Sequence, residues 1–272
     1  MLNLKEIYKP TTIQDALKLL QQPGTVVLAG GTALNADKRR DIQAAVDLSA
    51  LRLSYIKEAN GTIAIGAMST LIALSESPIL RALVIGVVAQ AAHMSASSIL
   101  RNQATIAGTL ITEPDGVLAV TLLALDARVT IVGKQTRTVV LEEFLREVKG
   151  LTDQAIVTEI ILPMTNPRAS IQTVARTPSD KPIVSVVVCA RIVDNILRDA
   201  RIALGGVETY AVRAENGEMD LEGRIANPQL ADKAALSASQ GLLPPSDFRG
   251  SAEYRKEMAV VLTRSAVKEL LS

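Results

Sequence analysis

Two short stretches carry residues suited to gripping an anion without a charged side chain. Residues 28–34 read LAGGTAL, straight after the apolar Thr25-Val26-Val27-Leu28, and residues 104–109 read ATIAGT. A glycine turn of this kind either solves a tight backbone geometry or leaves main-chain N–H groups open to a ligand. One copy does not decide between these. A second copy favours the ligand, because two turns can clamp both phosphates of a dinucleotide without burying a lysine. Hydroxyls at Thr32, Thr105 and Thr109 would add donors, and bonding to their own local backbone competes with that role. GGV at 205–207 reads as an ordinary turn closing a strand.

Other chemistries lack their residues. The G-x-G-x-x-G fingerprint of a Rossmann site does not occur: Gly30-Gly31-Thr32 runs into ALNADKRRD with no further glycine, and there is no G-x-x-x-x-G-K-[ST] loop. The chain has one cysteine and one histidine, too few for an iron–sulfur cluster or a zinc site. His93 follows VVAQAA with no nameable partner, so a packing or polar surface role is expected rather than catalysis. Cys189 lies in the apolar run Ile183 to Ile192, where a small hydrophobe fits. Any redox centre must therefore be borrowed. Aromatic residues are 2% of the chain and tryptophan is absent, which leaves few platforms for stacking bases.

The elements that must position the two turns are readable from periodicity. Thr12-Ile13-Gln14-Asp15 has the form of a capping box before Ile13, Ala16, Leu17 and Leu20, and Pro23-Gly24 stops that helix. Strands are expected at 25–28, 44–48 and 62–65, with EANG at 58–61 as a turn between the last two. Residues 69–74 and 78–94 read as helices, the second with proline at its first position, and 115–126 as a buried helix of Leu, Ala and Val. Strands at 128–132 and 137–140, a short helix at 141–147 and a strand at 155–162 follow. Between Pro163 and Pro182, PMTNPRAS and TPSDKP mark a boundary or exposed connection. Beyond it, 183–193 and 196–204 form a hairpin around Asp194-Asn195, and helices at 228–240 and 251–271 close the chain. The last places Tyr254, Met258, Val261, Leu262, Ala266 and Leu270 along one stripe.

A chain of 272 residues can fill two ordinary domains, each with a core. Net charge is +1, so there is no basic field to hold nucleic acid. The most apolar stretch, Leu80 to Ala92, is interrupted by Arg81 and Gln90 and is too short to span a bilayer, and MLNLKEIYKPTT has no signal-peptide core. A soluble, cytoplasmic protein is expected.

The two turns, with SSILRNQATIAGTL around the second and DFRGSAEYRKEMAVVL at 247–262, resemble the FAD-binding subunit of the molybdenum hydroxylases, the xanthine dehydrogenase and carbon monoxide dehydrogenase family. The resemblance spans the chain in family order. It implies an α+β protein: a vanillyl-alcohol-oxidase-type (PCMH-type) FAD-binding domain with two α/β subdomains over residues 1–165, then a smaller domain over 166–272 with three antiparallel strands and a helical bundle. It also implies FAD as cofactor. The first pyrophosphate loop would be Leu28, Ala29, Gly30, Gly31, Thr32, Ala33 and Leu34; IGAMST at 65–70 matches a further family run. RNQATIAGTL resembles the second loop, giving Thr105, Ile106, Gly108, Thr109 and Thr112, and Asp115 matches an aspartate that helps hold the flavin. RTPSDKPIVSVVV and ALGGVETYAVRA fit the start of the smaller domain. Implied partners are a molybdenum-cofactor large subunit and a [2Fe–2S] small subunit, with electrons leaving through FAD to an acceptor such as NAD or a quinone, in a dimer of heterotrimers. On that reading no acid–base dyad or nucleophile is needed, and none appears.

The sequence departs from the family pattern at four places. Ala33 stands where aspartate is common, Ala107 replaces a glycine, Thr109 replaces Asn or Asp, and the connection from Thr112 to Asp115 is short. A methyl at 107 would crowd a phosphate or forbid a positive φ. These departures raise an alternative, a structural or assembly subunit that kept the fold and lost the cofactor. The run ADKRRD at 36–41 is expected as a solvated loop. A flavin reductase of the peptidoglycan-precursor type shares the FAD fold, but RGSAEYR points to the hydroxylase C-terminal domain instead.

Overall fold

The computed structural model describes residues 4–34, 41–165, 167–177 and 180–272. Residues 36–40 of the basic run lie outside these. Three sheets carry the architecture. The first is parallel, in the order β1-β3-β2, from β1 (Glu6–Tyr8), β2 (Thr25–Leu28) and β3 (Ala44–Asp47). Helix α1 (Ile13–Leu20) precedes β2 and starts as the capping box predicts, with Thr12 Oγ1 accepting from the Asp15 N–H at 3.1 Å. β2 therefore ends directly on the first glycine turn. The carboxyl ends of parallel strands are where open sheets receive ligands.

The second sheet is antiparallel, β4-β5-β8-β6-β7, built from β4 (Ile56–Ala59), β5 (Thr62–Gly66), β6 (Arg128–Val132), β7 (Thr136–Val140) and β8 (Ile156–Pro163). EANG is a hairpin turn with Asn60 and Gly61 at φ 51° and 73°, but the strand that pairs across it is β4 rather than the 44–48 segment. β4 escapes notice in the sequence because IKEA is largely exposed and polar.

Helices fill the space between the second and third sheets. The expected 78–94 helix is in fact α3 (Pro78–Ala82) and α4 (Val87–Met94), following α2 (Leu71–Glu76). Between them Val84 and Ile85 take left-handed φ values of 46° and 54°, which buries Val84 and turns Ile85 out to solvent. Then come α5 (Ser98–Arg101), α6 (Ile106–Thr112) and α7 (Val117–Ala124); every residue of α7 is buried, as its unbroken Leu/Ala/Val composition requires. Among the described residues no single helix is long and apolar enough to cross a membrane, and the apolar pair α6–α7 is bent by 105°. Helices α8 (Leu141–Arg146) and α9 (Val148–Thr152) lead into β8.

The third sheet is antiparallel, β12-β11-β10-β9, from β9 (Arg168–Val174), β10 (Val184–Val193), β11 (Ile196–Gly205) and the two-residue β12 (Val212–Arg213). β9 lies inside the stretch read from sequence as a connection, because it pairs with Val184 to Ala190 of β10 although turn-forming residues flank it. The Asp194-Asn195 hairpin forms as expected, both residues at positive φ. Helices α10 (Glu215–Leu221), α11 (Leu230–Ala238) and α12 (Ala252–Leu271) cover one face. The other face, through Val187, Cys189 and Ala203, joins the core around α4 and α7.

The buried stripe of α12 is rotated from the expected one. Tyr254 and Val261 are 37% and 40% exposed, whereas Arg255, at 1%, is the largest fully buried side chain. Its Nη1 donates to the carbonyls of Ile183 (2.7 Å) and Gly206 (2.8 Å), and its Nη2 donates to Asp247 Oδ1 (2.6 Å). Burial opposes ionisation of Asp247, but hydrogen bonds from Arg249 and Arg255 outweigh it and hold the carboxyl well below the usual range. The motif DFRGSAEYR thus encodes one ion-pair knot joining α12 to the ends of β10 and β11.

Replacing Arg255 by Met should destabilise the fold by about 2–4 kcal/mol, since two buried carbonyls lose their donor; urea unfolding of the variant against the wild type measures it. Burial pushes the Cys189 thiol up to about 12, and its Sγ donates to the Ala124 carbonyl at 3.0 Å. Iodoacetamide should therefore leave Cys189 unmodified in the native protein at pH 8 and alkylate it fully in denaturant, read by mass spectrometry.

Candidate cofactor site

The two glycine turns meet. An ideal Cβ on Gly30 would lie 1.7 Å from the Gln103 carbonyl oxygen, so only glycine lets the first turn rest on the backbone that leads into the second. Gly31 has φ 72°, the region glycine favours. Geometry therefore accounts for both glycines. Among the described residues, the N–H groups of Gly30, Gly31, Thr32 and Ala33 donate to no main-chain carbonyl.

The second turn is built differently. Thr105 caps α6, its Oγ1 accepting from the Gly108 N–H at 3.2 Å. The N–H groups of Ile106 and Ala107 donate to the carbonyls of Ser69 and Ala67, and that of Thr109 to Thr105. Its amides are thus occupied, so it offers a wall rather than a second row of open donors. IGAMST acquires its role here, as the segment whose carbonyls seat α6. Ala107 is helical, without positive φ, so its methyl causes no backbone strain. Thr112 Oγ1 donates to the Gly108 carbonyl at 2.8 Å.

Between the turns lies a cavity of about 670 Å³, within the usual range for an organic ligand. Its wall contains Ala29, Gly30, Gly31, Thr32, Ala33, Leu34, Thr105, Gly108 and Thr112 of the residues singled out from sequence. Leu28, Ile106, Thr109 and Asp115 are not in it. Ile106 and Thr109 are buried behind the turn, and Leu28 ends β2. Sequence reasoning missed much of the remaining wall, including Gln21, Met68 and the Thr152–Val157 segment, which the fold brings to the turns. It also missed Arg101, whose Nη1 donates to the carbonyls of His93 (2.8 Å) and Ala96 (2.7 Å) and so pins α5 to the end of α4, just before Gln103. His93 itself is exposed and contributes only that carbonyl.

Asp115 faces the third sheet. Lys181 Nζ donates to its Oδ1 at 2.7 Å, the Ala211 N–H donates to the neighbouring Pro114 carbonyl, and a Cβ on Gly205 would come within 2.3 Å of the Asp115 carbonyl oxygen. Beside it, burial raises the Glu113 carboxyl above its usual range; Lys181 and Arg249 oppose that, and the Asp115 charge adds to it. Among the described residues no group of three or more His, Cys, Asp or Glu side chains could hold a metal ion.

Residues 3–165 match the FAD binding domain in molybdopterin dehydrogenase, and residues 169–270 match the CO dehydrogenase flavoprotein C-terminal domain. The glyceraldehyde dehydrogenase medium chain of Sulfolobus acidocaldarius is 28% identical over 269 residues, covering 95% of each chain. The carbon monoxide dehydrogenase medium chain of Hydrogenophaga pseudoflava is 28% identical over 274 residues, covering 96% of this chain and 95% of the relative. A solved structure of carbon monoxide dehydrogenase from that organism, lacking the Mo-pyranopterin moiety of its cofactor, superposes with a TM-score of 0.92 at 26% identity, covering 98% and 97% of the two chains. The chain belongs to the FAD-binding family of the molybdopterin dehydrogenases.

Proposed function

We propose that this chain is the FAD-carrying electron-transfer subunit of a molybdenum hydroxylase complex, with the pyrophosphate of the cofactor held on the main-chain N–H groups of Gly30 to Ala33. The observation that carries this reading is the row of amides after β2, Gly30 to Ala33, which donate to no main-chain carbonyl among the described residues and lie on the wall of a cavity of about 670 Å³. The residues present fit FAD. Clustered N–H groups suit a diphosphate, and the helical backbone at Ala107 removes the need for a positive φ there. FAD, when bound, supplies the one- and two-electron chemistry that no side chain of this protein can provide.

The chain's own residues bind, orient and exclude water. Thr32 offers a hydroxyl beside the amide row. Thr105 Oγ1, which accepts from Gly108, still has its own proton to donate toward the cavity. Ala29, Leu34, Gly108 and Thr112 complete the contact wall, while Leu28, Ile106 and Thr109 support it from behind. Asp115 acts through Lys181, joining the cofactor-holding unit, residues 1–165, to the unit formed by 166–272. The molybdenum centre and the [2Fe–2S] clusters would sit on partner subunits, in keeping with a chain of one buried cysteine. A dimer of heterotrimers working in the cytoplasm, with NAD or a quinone as acceptor, completes the reading.

Purified protein mixed with FAD and desalted should keep the flavin absorption bands. Gly30→Ala should lose at least about tenfold in FAD affinity, because the added methyl forces the turns apart at a cost of roughly 1–3 kcal/mol; fluorescence quenching of FAD measures it. Ala107→Gly should leave that affinity within about twofold while lowering stability by roughly 0.5–1 kcal/mol, the helix cost of glycine. A colourless wild type that takes up FAD only after Ala107→Gly would identify instead a chain that kept the fold and lost the cofactor.

A further inference from the structure

A groove of about 410 Å³ runs along the seam between the second and third sheets. It shares no wall residue with the cofactor cavity, so what it binds is independent of the FAD reading. Leu125, Ile161, Pro163 and Pro167 give it an apolar surface. Arg128 enters from β6 of the second sheet, and Arg191 and Arg201 enter from β10 and β11 of the third.

The carboxylates of the wall, Asp126 and Asp199, do not balance these three guanidinium groups. A bulge in β11 accounts for Arg191. The register shifts between Cys189 and Arg191, Asp199 takes φ 52°, and its carboxylate accepts from Arg191 Nε at 2.6 Å. Arg201 is held more loosely: its Nε lies 3.4 and 3.3 Å from the two Asp126 oxygens, and Asp126 also accepts from Arg213 Nη1 at 3.2 Å. Among the described residues, Arg128 forms no ion pair and no side-chain hydrogen bond, although it lines the same wall as these pairs. The groove therefore carries positive charge in excess, on Arg128 and in part on Arg201. A cleft lined by one sign of charge focuses its field and concentrates the opposite ion. Guanidinium forks, moreover, match the paired oxygens of a phosphate or a carboxylate.

We propose that this groove binds a small organic anion, with a phosphate or carboxylate head on a short carbon body, and that the head bridges Arg128 and Arg201. The apolar surface covers the carbon body, and Thr62 and Thr165 offer hydroxyls beside it. The volume is that of a small-ligand site. Because the two arginines come from different sheets, the bound anion ties the unit formed by residues 1–165 to the unit formed by 166–272. Lys181 and Asp115 make a tie of the same kind within the chain. Occupancy therefore stabilises the junction of the two units.

The test uses the full chain mixed with excess FAD, titrated calorimetrically at fixed ionic strength with glycerol 3-phosphate and, separately, with succinate. At least one should bind, and the tighter of the two identifies the head group. At a concentration about a hundredfold above its Kd, that anion should raise the melting temperature by at least about 4 °C. Arg128→Gln should weaken its binding by at least about tenfold, the loss of a charge-assisted contact. The same variant should leave the melting temperature of the unliganded chain unchanged, because Arg128 has no partner to lose. Arg128→Lys keeps the charge without the fork and should recover part of the affinity. If neither anion binds at millimolar concentration, the proposal is overturned. Binding that Arg128→Gln leaves unchanged overturns it as well, since the anion then sits elsewhere. A chain that takes up no FAD is titrated in the same way, so failure of the cofactor reading and failure of this one are read separately.

Discussion

The contact between Gly30 and the carbonyl of Gln103 sets the geometry on which the site depends. The approach is so close that a methyl at Gly30 would stand 1.7 Å from the oxygen, and it fixes the end of β2 against the segment leading into α6. Arg101 holds that segment from the other side through two carbonyls near the end of α4. Ala67 and Ser69 hold α6 itself. The cavity is what remains between two pieces of backbone locked at this distance. Gly30 to Ala33 lie along its wall, and among the described residues their N–H groups donate to no main-chain carbonyl.

The two halves of the chain are joined by apolar packing as well as by polar contacts. Helix α7 has no polar face and is buried throughout, packed on α4 on one side and on β10 and β11 on the other. Its N-terminal approach carries Asp115, paired with Lys181, and Pro114, whose carbonyl accepts from Ala211. Gly205 leaves space for that backbone, and Gly206, one residue on, presents its carbonyl to Arg255. A short path of main-chain contacts therefore runs from the turn after α6 to the buried arginine of the last helix.

Much of this was legible in the sequence, and the misses share a cause. Local signals such as the Thr12 cap, the Asp194-Asn195 hairpin and the featureless apolar run of α7 depend on neighbours in the chain, and the structure contains all three. The break at Val84-Ile85, the strand β9 and the face of α12 depend on distant partners. An apolar β-branched run reads as continuous helix until the core requires one residue inward and the next outward. Arg255 reads as surface until three acceptors from 183, 206 and 247 converge on it. LAGGTAL announced a turn of unusual geometry, but the partner that explains Gly30 lies 73 residues further along, at Gln103. The same holds for Asp115, whose cation at Lys181 sits in a stretch that reads only as a polar connection.

Anion binding through main-chain donors has an electrostatic consequence. An amide does not titrate, so a site built from the Gly30–Ala33 row needs no side chain in a particular protonation state. Among the described residues, Asp153 is the one ionisable side chain in the cavity wall. The perturbed carboxyl, Glu113, is set back at the junction with the third sheet, among Asp115, Lys181 and Arg249. Because burial raises its folded-state pKa, Glu113 opposes folding as pH rises through the window between its unfolded and folded values, and it does so away from the phosphate-binding turn. Binding at the amide row and titration at the junction are thereby separated in space.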